Sequence, residues 1–241
     1  MLTAIKHIPS EEATAALAAG LADVLCAGDV LALEGDLGAG KTTFVRALAR
    51  ALGTDERLVS SPTFVMVNQY PVTLPDGAPA RLVHVDAYRL HGPDDLDALG
   101  WDTFYDSSAG HARAGHILAV EWPGRIATAL AGPAGTSPDH LATLRFAPTG
   151  EDSREVTLEL PDSWQARPRV APLIEREATR CRTTGRWVSP TAASYPFADE
   201  KARLADLNRW FTGSYGTSRP LTAQDLDDPA GPDAPGAPGR R

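Results

Sequence analysis

The chain has 241 residues, 43% of them hydrophobic and 22% charged, which suits one or two domains with a packed core. No apolar run reaches the roughly 18 residues that a membrane span requires, and Met1–Ser10 carries neither a long apolar block nor a cleavage signature. Two cysteines, Cys26 and Cys181, are too few for a disulfide framework and agree with a reducing, cytoplasmic setting; Cys26, in an Ala/Leu-rich stretch, reads as a core residue. The net charge of −8 is uneven: residues 164–241 hold 12 of the 23 Lys+Arg and 9 of the 31 Asp+Glu, a net of +3, leaving −11 to residues 1–163. An acidic body argues against broad nucleic-acid binding by that part, whereas the basic stretch suits either an acidic partner or a solvated surface.

Ser10-Glu11-Glu12 combines a capping hydroxyl with first-turn acids and predicts a helix running to about Ala27. Val30–Glu34 predicts a short buried strand, Gly35–Gly40 a glycine-rich turn, and Thr42–Leu52 a helix stopped by Gly53. Phe64–Tyr70 and Arg81–Asp86 predict strands joined through Pro75-Asp76-Gly77 as a hairpin. A short helix at Asp94–Leu99, a strand at Ile117–Glu121 and a helical stretch at Pro123–Leu130 follow. Leu141–Phe146 and Glu155–Leu160 predict an antiparallel pair. Strands alternating with helices predict an α/β fold, a P-loop NTPase-type mixed sheet flanked by helices over residues 1–163. Composition changes near Trp164, opening a small C-terminal appendage over 164–222, and the Asp/Pro/Gly/Ala-rich 223–241 reads as a disordered tail.

Gly35-Asp36-Leu37-Gly38-Ala39-Gly40-Lys41-Thr42, followed by Thr43, fits the G-x-x-x-x-G-K-[ST] phosphate loop without mismatch, between a predicted strand and a predicted helix. Its glycines let backbone N–H groups approach phosphate oxygens, and the helix presents its positive end. Lys41 supplies a point charge to the β- and γ-phosphates and Thr42 a hydroxyl for Mg²⁺. Such a site also needs a carboxylate to hold the metal and a group to orient water, and two acids end apolar strands: Asp86 after Leu82–Val85 and Glu121 after Ile117–Val120. Either acid could instead be a strand-end cap. The polar Ser60–Phe64 loop has the make-up of a switch that senses the γ-phosphate. His84 reads as a core or strand-edge histidine, and Arg89 as a phosphate contact, a partner contact or a surface ion-pair residue.

These segments resemble, in order and spacing, the motifs of the TsaE (YjeE) family: the loop through Arg46, Ser60-Ser61-Pro62-Thr63-Phe64, His84-Val85-Asp86-Ala87-Tyr88-Arg89-Leu90 and Val120-Glu121-Trp122-Pro123. The resemblance covers roughly residues 5–160 and implies a bacterial ATPase required for threonylcarbamoyladenosine modification of tRNA, working with TsaB and TsaD and meeting tRNA indirectly through that complex. It places Thr42 and Glu121 at the magnesium positions, Asp86 at a second essential acid and Thr63 at the switch threonine; Gly124 stands where an acid is usual. Two other readings stay open. A small-molecule kinase shares the phosphate loop, although no Arg-bearing lid is evident between Glu121 and Leu141, and a non-enzymatic regulator would act through the C-terminal segment.

Residues 181–210 resemble the small zinc protein YacG, a DNA gyrase inhibitor, but the four ligand positions hold Cys181, Thr184, Ala198 and Ala202. One thiol, one hydroxyl and two methyl groups cannot complete a zinc site, so the sequence predicts no zinc there. Phe197, Leu204, Leu207, Trp210 and Phe211 are predicted to bury an apolar face against the body instead.

Overall fold

The computed structural model describes residues 1–59, 66–90, 93–131 and 139–211. Strand β1 (Leu2–Ile8) opens the chain. Helix α1 (Glu11–Ala22) begins at Ser10, whose side chain accepts the Ala13 N–H, with Glu11 and Glu12 in the first turn facing the positive helix end. It stops five residues before the predicted end, and Cys26 in the following turn is exposed, so the expectation of a core cysteine is corrected. Strand β2 (Val30–Glu34) leads into α2 (Lys41–Ala51). Strands β3 (Val67–Thr73) and β4 (Pro79–Asp86) form the expected hairpin, its turn closed by Ala78 N–H donating to Asp76 and by Gly77 at φ 84°. The early part of the predicted Phe64–Tyr70 strand, the switch segment and Thr63 lie outside the described residues. Helix α3 (Pro93–Ala98) and the short pair β5 (Tyr105–Asp106) and β6 (His111–Ala112) precede β7 (His116–Glu121), a 3₁₀ turn at Pro123–Ile126 and α4 (Ala127–Leu130). Strands β8 (Leu141–Pro148) and β9 (Arg154–Leu160) pair antiparallel as predicted.

Seven strands form one mixed sheet in the order β1-β9-β8-β2-β7-β4-β3. Its centre, β8-β2-β7-β4, is parallel, and antiparallel partners complete each side. The central strands are apolar at successive positions because both faces are covered. Leu31, Leu33, Ile117 and Ala119 pack with α1 and α2, while Val83, Val85, Leu118 and Val120 pack with Trp101, Phe104 and Tyr105 on the other face. Strand β1 went unrecognised in the sequence because its outer-edge position leaves Leu2-Thr3-Ala4-Ile5 half exposed. Among the described residues no helix is long and apolar enough to cross a membrane.

The core runs past the composition change at Trp164. Trp164, from a 3₁₀ turn at Asp162–Ala166, and Val170 and Leu173, from α5 (Val170–Glu175), belong to the same cluster as Ile8, Leu17 and Leu160, and a buried clamp holds this stretch to the body. Fully buried Asp29 accepts from Arg167 through both guanidinium nitrogens, at 2.6 and 2.9 Å, and from the Cys26 N–H at 2.7 Å. Arg167 also stacks on Trp164 at 4.0 Å. Buried Lys6 donates to the Ile174 and Arg176 carbonyls at the C-terminal end of α5, where a cation meets the negative helix end.

Beyond α5, β10 (Thr179–Arg180) and β11 (Trp187–Val188) form a small hairpin, and α6 (Glu200–Phe211) packs on it. The four positions singled out by the zinc-protein resemblance lie close together: Cys181, Ala198 and Ala202 share one apolar cluster, and Thr184 donates to the Cys181 sulfur. The expected burial of the large apolar residues of α6 is corrected. The helix approaches through the small Ala202, 3% exposed, while Leu204, Leu207, Trp210 and Phe211 are exposed; only Phe197, ahead of the helix, packs into the cluster.

Two outcomes follow. Asp29→Ala leaves Arg167 as an uncompensated buried charge and should cost about 3–5 kcal/mol, read by urea unfolding; a loss within error of zero would remove the clamp's role. Burial pushes the Cys181 thiol up, but the Thr184 hydroxyl and the backbone N–H groups of Ala198, Thr184 and Thr183 together outweigh it and bring the group from 9.0 down to about 7. A lowered thiol value means the fold favours the thiolate, so this contribution to stability is full above about 9 and is lost as pH falls through about 7. Thiolate absorbance of a Cys26→Ser variant should titrate near the lower value when folded and near the ordinary one when unfolded.

Candidate nucleotide and metal site

Strand β2 ends at the sheet's centre and releases the chain into Gly35–Gly40, which closes onto the first turn of α2. Two glycines are obligatory here. A Cβ on Gly35, at φ 139°, would meet the Phe146 carbonyl oxygen at 2.6 Å, and Gly40 stands at φ 101°, a backbone conformation that side chains rarely adopt. Gly38, Gly40, Lys41, Thr42 and Thr43 border a cleft of roughly 230 Å³. Leu37 projects into solvent and Ala39 packs into the core, so the loop is anchored at one point and open at another.

Lys41 is buried, and its Nζ donates to the Gly35 and Asp36 carbonyls at 2.7 and 2.9 Å. Burial pulls its ammonium below the ordinary value, opposed by the charges of Glu121, Asp86 and Asp36. Over it lies the Trp122 ring, 4.1 Å from Nζ to the centroid. Trp122 reaches that place because its backbone, directly after Glu121, turns into the left-handed region at φ 59°, and Tyr88 packs against its ring at 5.1 Å.

The parallel register delivers the acids. Leu33 of β2 stands opposite Glu121 of β7, and Asp86 of β4 stands opposite Glu121, so two strand ends place both carboxylates beside the loop. Both are buried. Glu121 Oε1 accepts from the Thr42 hydroxyl at 2.7 Å and meets His84 Nε2 at 2.9 Å. An ionised oxygen bonded to both neighbours requires both to donate, which assigns the His84 ring proton to Nε2 and leaves its buried Nδ1 without a hydrogen-bond partner among the described residues. Asp86 accepts the Tyr88 N–H at 3.1 Å, capping the 3₁₀ turn that carries Tyr88 and Arg89 over the cleft.

Gly35 to Thr43, Asp86 and Glu121 are thus drawn to one place by the fold. His84 is a core histidine, as its apolar strand suggests, and it also touches the central carboxylate. Its position two residues before Asp86, and so on the same face of β4, was the available signal. Trp122 was noted only as part of a motif, since nothing local announces a positive φ at a tryptophan. Arg89 borders the cleft.

Among the described residues no three His, Cys, Asp or Glu side chains group as a metal site. The Thr42 hydroxyl and Glu121 carboxylate, 2.7 Å apart with Asp86 adjacent in register, are nevertheless the sparse hard-oxygen set that suits Mg²⁺, which keeps waters and takes further oxygens from phosphates.

Residues 8–156 match the family described as "Threonylcarbamoyl adenosine biosynthesis protein TsaE". A relative from Streptomyces coelicolor, "tRNA threonylcarbamoyladenosine biosynthesis protein TsaE", is 46% identical over 103 residues, 42% of this chain and 62% of that protein. The Bacillus subtilis protein of the same description is 36% identical over 146 residues, 61% of this chain and 78% of that protein. A crystal structure of Bacillus subtilis YdiB is similar at 28% identity and a TM-score of 0.47, covering 71% of this chain and 93% of that one. With the match spanning strands β2 to β8, the phosphate loop and both strand-end acids, the chain belongs to the TsaE family.

Proposed function

We propose that this chain binds ATP with Mg²⁺ and hydrolyses it slowly, as a partner-controlled step in threonylcarbamoyladenosine modification of tRNA, together with TsaB and TsaD. The observation that carries the reading is the convergence of Lys41, Thr42, Asp86 and Glu121 on one cleft at the carboxyl ends of parallel strands. Family membership and the descriptions of the relatives support the pathway.

Each residue has a task in this reading. Lys41, held on the Gly35 and Asp36 carbonyls under Trp122, would supply its positive charge to the β- and γ-phosphates. The first-turn N–H groups of α2 would donate to phosphate oxygens. Thr42 and Glu121 would hold Mg²⁺, which when bound neutralises charge on the phosphates. His84 donates to the Glu121 oxygen and fixes its direction. Asp86, the second buried acid, stands opposite Glu121 and in this reading orients the attacking water. Thr63 serves as the switch threonine. The kinase and regulator readings call for an acceptor pocket or a working C-terminal zinc module; the latter conflicts with the methyl groups at Ala198 and Ala202, and we propose that the segment binds no zinc.

Lys41→Ala should nearly abolish hydrolysis and weaken ATP binding in titration calorimetry at fixed magnesium; hydrolysis at the unaltered rate would remove the loop from the site. Thr42→Ala and Glu121→Gln should each lower turnover about a hundredfold, with the fold intact. Full turnover in Glu121→Gln would remove Glu121 from the metal position. Adding TsaB and TsaD with tRNA should raise the slow basal rate; rapid phosphate release unchanged by them, or transfer to an added acceptor, would favour the independent ATPase or kinase.

A further inference from the structure

Strand β9 carries an apolar row with a cation at its head. Val156, Leu158 and Leu160 alternate onto one face of the sheet and are buried in the same core as Phe44, Val45 and Leu48 of α2. Arg154 stands two residues before Val156, and so on that face, but it is only half-buried. Its Nη1 lies 2.0 Å from the place that a Cβ of Gly40 would take, so the guanidinium rests directly on the residue that leads into Lys41 and Thr42. Register brings it there. Arg154 pairs with Ile8 of β1 and with Pro148 of β8, and the Thr149 and Gly150 N–H groups close the turn before it on the Ser153 carbonyl at 2.9 and 3.2 Å.

This is a costly place for a cation. Gly40 is the N-cap of α2, the first turn of that helix holds no acid, and Lys41 already brings an ammonium to it. The positive end of a helix repels further positive charge. Among the described residues Arg154 pairs with no carboxylate; its guanidinium donates to the Asp152 carbonyl at 3.2 Å. The acids of the site lie on the other flank. Asp86 and Glu121 end β4 and β7, whereas Arg154 comes from β9, and the order β9-β8-β2-β7-β4 sets β2 and its loop between them. The β9 flank of the loop therefore carries positive charge that an anion would balance.

We propose that Arg154 holds the α-phosphate of the bound nucleotide. The inference rests on the nucleotide reading given above. In that reading Thr42 and Glu121 hold the metal, and the γ-phosphate stands near Asp86, all on the β7 side of the loop. A phosphate chain laid along the loop then carries its α-phosphate toward β9, where Arg154 waits. A guanidinium presents paired N–H groups that match phosphate oxygens, and its charge is met there by the phosphate instead of by a side chain. The α-phosphate is common to ATP and ADP, so this contact holds substrate and product alike and leaves the bond-breaking step to the other flank.

Titration calorimetry of the full chain with Mg²⁺ and either ADP or a non-hydrolysable ATP analogue tests this, alongside hydrolysis at rising ATP. Arg154→Gln should weaken both nucleotides by the same factor, about tenfold. It should raise KM to match and leave kcat within about twofold of the unaltered rate. Arg154→Lys, which keeps the charge and loses the fork, should recover part of the affinity. If the unaltered chain binds both nucleotides and Arg154→Gln binds them as tightly, the assignment falls and the nucleotide reading stands. No uptake of either nucleotide by the unaltered chain removes both. Tighter binding in Arg154→Gln would make the guanidinium an obstacle, and a fall in kcat with affinity kept would put it at the γ-phosphate; either result overturns the proposal.

Discussion

One carboxylate oxygen ties the site together. Glu121 Oε1 accepts from Thr42 at the start of α2 and from His84 on β4, so a single buried atom joins the phosphate loop, the neighbouring strand and the strand end that carries it. A buried carboxylate is tolerated only when its charge is met by donors. The sheet register provides them by aligning Leu33, Asp86 and Glu121 across three parallel strands. The loop could not stand where it does if β2 lay elsewhere than between β7 and β8, and the close approach of Phe146 to Gly35 fixes its other side.

Much of this was legible because the phosphate loop has a local signature and the acids end apolar strands. The strand–loop–helix passage at 30–51, the β3–β4 hairpin and the β8–β9 pair all rest on short-range patterning, and each is found within a few residues of its expected place. What escaped depends on tertiary context. His84 in an apolar strand looks identical whether it packs against a methyl group or a carboxylate. Strand β1 lies at the sheet's outer edge, paired only with β9, so its apolar pattern is diluted. Cys26 lies past the true end of α1, where Asp29 gathers the turn around itself. Helix α6 meets its partner through Ala202 rather than through its large residues, since a small side chain permits the closest approach.

The segment after β9 is physically continuous with the body. Trp164 and Leu173 fill the same core as Leu160, Arg167 neutralises Asp29, and Lys6 reaches across to α5. Only from β10 onward does a small unit of its own begin, around Cys181, Val188 and Ala202. Methyl groups of Ala198 and Ala202 pack beside the Cys181 thiol, and the Thr184 hydroxyl and backbone N–H groups donate to its sulfur. The unit is tied to the turn after α1 by the Thr191–Asp23 hydrogen bond, and a groove lined by both lies between them.

The central claim, that Thr42 and Glu121 form a metal-bearing nucleotide site with Lys41, is tested most directly by a crystal structure of the chain with Mg²⁺ and a non-hydrolysable ATP analogue. The account predicts the phosphates on the loop, Lys41 Nζ moved from the Gly35 and Asp36 carbonyls onto them, and the metal between the Thr42 hydroxyl and Glu121. An empty loop at saturating nucleotide, or a bound nucleotide with Thr42 still donating to Glu121 and no metal between them, would contradict it.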